Sequence, residues 1–271
     1  MKRILSPGEN RRIARAMLDY SMLSHADRVL IAVSGGIDSL VLAWVLQNWR
    51  NKAPIDYAVQ AVYVDMQPSA SDRQSGGRAG QVADRLAALG LSCMMLSEHQ
   101  PTQSALQQTA GAASAASGVC FQCARNRRRQ LFAYARQEGY SKIALGHHRD
   151  DIVETFFINL TCSGNISTMR PRQELFSGRL ALIRPLAYLK KEEIRAIGRR
   201  LGLEAVPSDC PLSEQTRRLE IRALLDRMYQ QFPGSRDHIF SALGNVRQDY
   251  LLLQEGEEKR KAERRMPAGD S

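Results

Sequence analysis

Apolar positions along the chain fall into short unbroken runs separated by longer helical stripes. The run Arg28-Val29-Leu30-Ile31-Ala32-Val33 is short, β-branched and continuous, the pattern of a strand buried on both faces. A second run, 58–64, ends at Asp65, and further strands are predicted at 91–96, 142–146 and 180–183. Helical spacing is found at 10–23, where Ile13, Met17 and Leu18 lie among arginines, and again at 40–49, 80–89, 124–138, 151–160 and 190–201. Strand and helix alternate, so the pattern predicts an α/β fold: a parallel sheet covered by helices on both faces. Ligands in such sheets bind beyond the carboxyl ends of the strands. The turn at Ser34, Asp65 and Gly146-His147-His148 all fall at that rim.

Two stretches break the alternation. Residues 66–80 are rich in Ser, Gly, Asp and Gln, and residues 100–119 in Gln, Ala, Ser, Thr and Gly. Both read as loops of the active site or as disorder. The tail beyond 253 is a charge run. No internal repeat is present. Residues 1–27 are expected to form a helical segment, 28–211 the main α/β domain, 212–253 a helical region and 254–271 a charged tail.

Composition narrows the class. The chain has 271 residues, 44% of them hydrophobic and 24% charged, enough apolar material for a sizeable core. No apolar run approaches the roughly 18 residues of a membrane span, and the first residues lack a signal-peptide core. A cytoplasmic protein without a membrane role is expected. The net charge of +10 suits a polyanion binder such as a nucleic-acid-binding protein, or a basic protein without that role.

The string Ser34-Gly35-Gly36-Ile37-Asp38-Ser39 lies between the first strand and the following helix. Glycines let the backbone take positive φ and approach a ligand. Successive N–H groups and the helix N-terminus then form a nest for phosphate oxygens, and the two serine hydroxyls add donors. Asp38 puts a carboxylate beside those phosphates, a conflict that a bridging Mg²⁺ resolves. The string lacks the Gly-Lys-Ser/Thr ending of a Walker loop. A plain serine-capped turn is the alternative.

Five cysteines are present: Cys93, Cys120, Cys123, Cys162 and Cys210. An odd count argues against a disulfide framework. Cys120-Phe121-Gln122-Cys123 is expected at the start of a basic helix. There the helix N-terminus and Arg125, Arg127, Arg128 and Arg129 would lower the thiol pKa values. That spacing suits a metal ion or cluster, with a redox pair as the alternative. Cys210 is the third candidate ligand. Cys93 reads as a small buried residue, and Cys162 as structural or a fourth ligand.

Downstream of the fourth strand, His147 and His148 precede Asp150 and Asp151. Asp151 is expected on magnesium or on the reacting group, and Asp150 as helix cap or functional group. Glu154 is a candidate for surface helix pairing. Asp65 contacts ribose or the adenine amine, or closes a strand-end turn. Gly146 would let nucleotide approach the backbone. Three basic helices carry Arg125–Arg129, Lys190 with Lys191, Arg195, Arg199 and Arg200, and Arg217 with Arg218 and Arg222. They track phosphates or form solvated faces.

The six-residue loop resembles the SGGxDS signature of the PP-loop ATP pyrophosphatases, which cleave ATP between the α- and β-phosphates and adenylate a substrate oxygen. The string Cys120-x-x-Cys123-Ala124-Arg125-x-Arg127-Arg128 extends the likeness to the tRNA 2-thiocytidine synthetases. So do Ala144-Leu145-Gly146-His147-His148-x-Asp150-Asp151-x-x-Glu154-Thr155, then Ile183-Arg184-Pro185-Leu186, and Cys210. The likeness runs over roughly 28–250. The family loop usually reads SGGKDS; here Ile37 stands at the lysine.

The resemblance implies a Rossmann-like (HUP-type) fold. It implies ATP binding by Ser34, Gly35, Gly36, Asp38, Ser39, Asp65 and Gly146, with Mg²⁺ on Asp38. Cys120, Cys123 and Cys210 would ligate a [4Fe-4S] cluster with an open fourth iron, zinc being the alternative occupant. Asp38, Asp151, Cys120 and Cys123 would be the catalytic residues. The implied reaction adenylates the C2 oxygen of a cytidine at anticodon-loop position 32 of tRNA, then exchanges that oxygen for sulfur. A sulfur donor such as a cysteine desulfurase is the implied partner, and a homodimer is compatible. The alternatives are adenylating sulfur transfer or ligation on another nucleoside or a small molecule, and a non-catalytic zinc protein that binds nucleic acid.

Overall fold

The computed structural model describes residues 4–66, 77–97, 113–207 and 217–252, with backbone alone over 113–120. In chain order the elements are α1 (Pro7–Asp19), β1 (Asp27–Val33), α2 (Ile37–Arg50), β2 (Tyr57–Asp65), α3 (Arg78–Ala87), β3 (Cys93–Ser97), α4 (Ala113–Gln137) and β4 (Lys142–Ala144). They continue with α5 (Arg149–Cys162), β5 (Arg172–Leu175), β6 (Leu180–Ile183), α6 (Lys191–Arg200), α7 (Arg217–Gln231), α8 (Ser235–Ala242) and a 3-10 turn, Gln248–Tyr250. The chain divides into two compact units, Met1–Arg227 and Met228–Ser271. Among the described residues no helix is long and apolar enough to cross a membrane.

The six strands lie in the order β3-β2-β1-β4-β6-β5. All neighbours pair in parallel except β5, which runs antiparallel to β6 with Leu175 opposite Leu180. The parallel α/β sheet expected from the pattern is therefore present, with one antiparallel edge added. Successive residues of β1 point to opposite layers. Val29, Ile31 and Val33 join a core with residues of α1, α2, α3 and α6. Leu30 joins Val62, Val64 and Ile143 against Leu131 and Ala135 of α4. Burial on both faces is why these strands read as unbroken apolar runs.

The chain winds outward from β1 through β2 to β3, then returns to place β4 on the other side of β1. Loops leaving the carboxyl ends of β1 and β4 thus diverge and leave a crevice, the usual ligand position of an open α/β sheet. At the opposite end, the buried ammonium of Lys142 pairs with Asp27. Asp27 also accepts from Ser141 Oγ at 3.0 Å and from the Ser24 N–H at 2.6 Å.

Several boundaries differ from expectation. α2 begins at Ile37 with Gly36 as its N-cap, so Asp38 and Ser39 lie in its first turn. α5 starts at Arg149. α4 starts at Ala113, so Cys120 and Cys123 lie inside the helix and not at its beginning. A helix N-terminus acts over about its first turn, so the effect expected on these thiols does not reach them.

Candidate functional site

The phosphate loop is held by its own serines. Gly35 has φ +83°, a left-handed conformation open to glycine. A Cβ there would lie 2.9 Å from Val82 Cγ2 and 3.3 Å from Val206 Cβ. Buried Ser39 donates its hydroxyl to the Gly36 carbonyl at 2.8 Å and accepts the Ser34 N–H at 3.2 Å. Ser34 Oγ, 3.3 Å from Ser39 Oγ, accepts the Gly36 N–H at 3.4 Å. Ser39 was expected to donate to phosphate, but its proton is committed to the loop. Ser34 is exposed. The loop's outer carbonyls are also taken: Arg78 donates to Ser34 O and the Val206 N–H to Gly35 O, each at 2.9 Å. Of the first N–H groups of α2, those of Ser39 and Leu40 donate to the Gly36 carbonyl at 3.1 and 3.2 Å, which leaves those of Ile37 and Asp38 for an anion.

Gly146 follows β4 and presses against the loop. A Cβ at Gly146 would lie 3.0 Å from Asp38 C and Ser39 N. The close approach that glycine permits here is to the loop backbone itself. Asp38 is held by Lys191, whose Nζ lies 2.6 Å from both carboxylate oxygens. Ile37 turns away toward α6, where a Cβ on Gly198 would meet Ile37 Cδ1 at 2.5 Å. Asp150 does not cap its own helix: its Oδ2 accepts the Lys191 N–H at 2.8 Å. α5 and α6 are thereby joined at their starts.

Asp151 combines a cap with a charge contact. Oδ2 accepts the His148 N–H at 2.9 Å and Oδ1 accepts from Arg218 at 3.1 Å. Glu154, 3% exposed, is buried and clasped by Arg222 at 2.7 and 3.1 Å and by Arg218 at 3.3 Å. It is therefore not the surface pairing residue its sequence position suggested. His147 Nδ1 accepts from Arg184 Nε at 3.3 Å, leaving the imidazole proton on Nε2. Burial lowers the His147 pKa to about 4; Asp151 opposes the shift, while Arg184, Arg218 and His148 add to it. Burial also pulls Arg184 down to about 10, against the pull of Asp151. Lys191, Arg218 and Arg222 were expected on solvated or phosphate-tracking faces; all three pair with acids of the rim. Asp65 closes β2 opposite Ser97.

Residues 7–227 match the PP-loop domain family. The chain belongs to the PP-loop family. Its relatives include a tRNA-cytidine(32) 2-sulfurtransferase of Pelobacter propionicus, 34% identical over 90% of this chain and 87% of the relative. A second, from Anaeromyxobacter dehalogenans, is 35% identical over 89% of this chain and 80% of the relative. Within the PP-loop family, the chain belongs with these tRNA-cytidine(32) 2-sulfurtransferases. The fold is also that of the U34-tRNA thiolase NcsA from Methanococcus maripaludis, solved with its [4Fe-4S] cluster. The TM-score is 0.63 at 19% identity, over 87% of this chain and 77% of that one.

The PP-loop match spans α4, the helix that carries the cysteine pair. Cys123 is half-buried, while Arg125, Arg127, Arg128 and Arg129 are exposed. Cys120 lies one turn earlier, and residues three apart share a helix face; its side chain is outside the described atoms. Cys210 lies outside the described residues. Among the described residues no three metal-ligating side chains come together. Cys93 packs at the core margin, and burial raises its thiol to about 11, against a backbone contact with Tyr63. Cys162 is exposed.

Proposed function

We propose that this chain adenylates the C2 oxygen of a cytidine at anticodon-loop position 32 of tRNA and replaces that oxygen with sulfur. The observation that carries this is the left-handed Gly35 turn, closed by Ser39 at the β1/β4 crevice, in a chain that matches the PP-loop family over 7–227. The names of its relatives supply the substrate.

The loop fits a nucleotide's pyrophosphate. Glycine at positions 35 and 36 keeps side chains clear, and the first N–H groups of α2 meet negative charge. Ser34, Gly35, Gly36 and Ser39 shape that cradle; Gly146 supports it from β4, and Asp65 stands at the adenosine side. The C2 oxygen attacks the α-phosphorus, the α–β bond breaks, and pyrophosphate leaves. AMP is then a good leaving group where a bare amide-like oxygen is a poor one. As the C–S bond forms, the C–O bond breaks and AMP departs. Asp151, fixed by Arg218, orients the reacting base.

Magnesium on Asp38 does not fit the side chains as they stand. Both Asp38 oxygens hold Lys191, so the charge conflict that called for a metal ion is met within the chain. An iron–sulfur centre does fit the donor set. Cys120 and Cys123 are one helical turn apart, and both flanks of the Cys210 segment are tied to the rim, by Val206 at Gly35 and Arg218 at Asp151. A [4Fe-4S] cluster on Cys120, Cys123 and Cys210 would supply the incoming sulfur at neutral pH. The enzyme works in the cytoplasm and draws sulfur from a donor such as a cysteine desulfurase.

tRNA from a deletion strain should lack 2-thiocytidine at position 32. Wild-type protein should restore it; Gly35→Val, whose side chain would force the phosphate turn out of shape, and Cys123→Ser should not. Protein purified without oxygen should show the visible charge-transfer band of a cluster, retained in Gly35→Val and lost in Cys123→Ser. Unchanged 2-thiocytidine in the deletion strain would end the substrate assignment, and stoichiometric zinc would end the cluster assignment.

A further inference from the structure

We infer that Lys191 is a cation of the phosphate loop, binding the pyrophosphate part of the nucleotide from the start of α6. This rests on the ATP reading above and adds a residue to it. The one charged side chain in Ser34–Ser39 is the carboxylate of Asp38. Left alone, it would repel the polyphosphate that the loop's backbone attracts. Ile37, the loop's longest side chain, is spent on packing: it seats against Gly198 and presents no charge.

Lys191 reaches the loop from a helix far along the chain, and its position is set at several points. Its N–H is held by Asp150 at 2.8 Å, and the preceding Lys190 N–H by Glu193 at 2.9 Å. Gly198 lies about two turns further along α6, on the same face, locked to Ile37. One face of α6 therefore grips two consecutive loop residues, Gly198 at Ile37 and Lys191 at Asp38. An ammonium has three donors. Asp38 engages Lys191 through both oxygens at 2.6 Å, leaving a donor in excess. The pair is not sealed: the side chains are 26% and 28% exposed, so an arriving anion can reach the nitrogen. Lys191 thus offsets Asp38 in the empty protein and meets phosphate oxygens when nucleotide arrives.

Calorimetric titration of the full-length protein tests this, in magnesium-free buffer so that no metal ion stands in for the ammonium. The probes are inorganic pyrophosphate, α,β-methylene ATP and AMP. Lys191→Ala should weaken pyrophosphate and the ATP analogue at least about tenfold. AMP affinity and the melting temperature should stay near wild type, and Lys191→Arg should keep most of the affinity. Wild-type pyrophosphate affinity in Lys191→Ala would overturn the inference, as would tighter binding, which would make Lys191 a mere occupant of the site. Equal losses for AMP and pyrophosphate would also overturn it, by showing a general structural role. If the wild-type protein bound neither pyrophosphate nor the analogue, the ATP reading itself would fall.

Discussion

The first strand of the sheet has a carboxylate near each end, and each carboxylate holds a lysine. At the amino end, Asp27 and Lys142 are 11% and 7% exposed, and Asp27 takes further hydrogen bonds from Ser24 and Ser141. At the carboxyl end, Asp38 and Lys191 are 28% and 26% exposed and stand over the phosphate loop. The chemistry is the same and the settings are opposite. The sealed pair ties β1 to β4, and both oxygens of Asp27 are engaged. The open pair joins two helices at the ligand end of the sheet and can exchange partners. A buried ion pair is a commitment of the fold, because removing one member leaves a stranded charge. A pair that solvent reaches contributes little to stability and is free to serve binding.

The largest expected effect lies at the sealed end. Lys142→Met should cost about 3–5 kcal/mol in urea unfolding, with pyrophosphate affinity of the folded protein unchanged. Lys191→Ala should cost no more than about 1 kcal/mol while binding suffers. Equal destabilisation by the two would erase the distinction drawn between the ends.

Gly198→Ala should have a smaller effect that sharpens the same contrast. Its methyl group would meet Ile37 Cδ1, and overpacking of this kind costs about 1–3 kcal/mol. Because α6 carries Lys191, pyrophosphate binding should weaken as well, whereas no comparable coupling is expected from the Lys142 end. A stability loss with wild-type affinity would show that α6 can shift without moving Lys191.

A pH dependence is expected at the rim as well. The folded pKa of His147 is lowered to about 4 from an ordinary value of 6.5, chiefly by burial. The unfolded chain therefore binds more protons between those values, so this contribution to stability is complete above about pH 6.5 and lost as pH falls toward 4. His147→Gln should flatten that part of the urea-midpoint profile between pH 4 and 6.5. An unchanged slope would assign it to other groups.

Much of this was legible in the chain before folding. β1 and β2 carry apolar runs at Val29–Val33 and Ala61–Val64 because both faces are covered there, and Gly35 stands where the turn takes φ +83°, a conformation that favours glycine. β5 was not legible: Arg172-Gln173-Glu174-Leu175 is a charged edge strand, formed by pairing with β6 and not by its own pattern. The early start of α4 was also missed. Residues 113–119 are rich in alanine, the strongest helix former, but their serines and glycine read as a loop. The partners of the site's acids were hidden for another reason. Lys191 and Asp38 are 153 residues apart, and Arg222 and Glu154 are 68 apart. A helical charge pattern cannot distinguish a solvated arginine from one that clasps a buried carboxylate across the fold. The role of Ser39 was likewise ambiguous, because a loop serine looks the same whether its hydroxyl faces ligand or backbone.

Adenylation of a nucleoside oxygen leaves a trace that can be followed atom by atom. tRNA carrying ¹⁸O at C2 of cytidine 32 should be converted, with ATP and a sulfur source, into 2-thiocytidine and AMP, and the label should be found in the AMP phosphate. Thiolated product accompanied by unlabelled AMP, with ¹⁸O released to water or orthophosphate, would contradict oxygen adenylation at this loop.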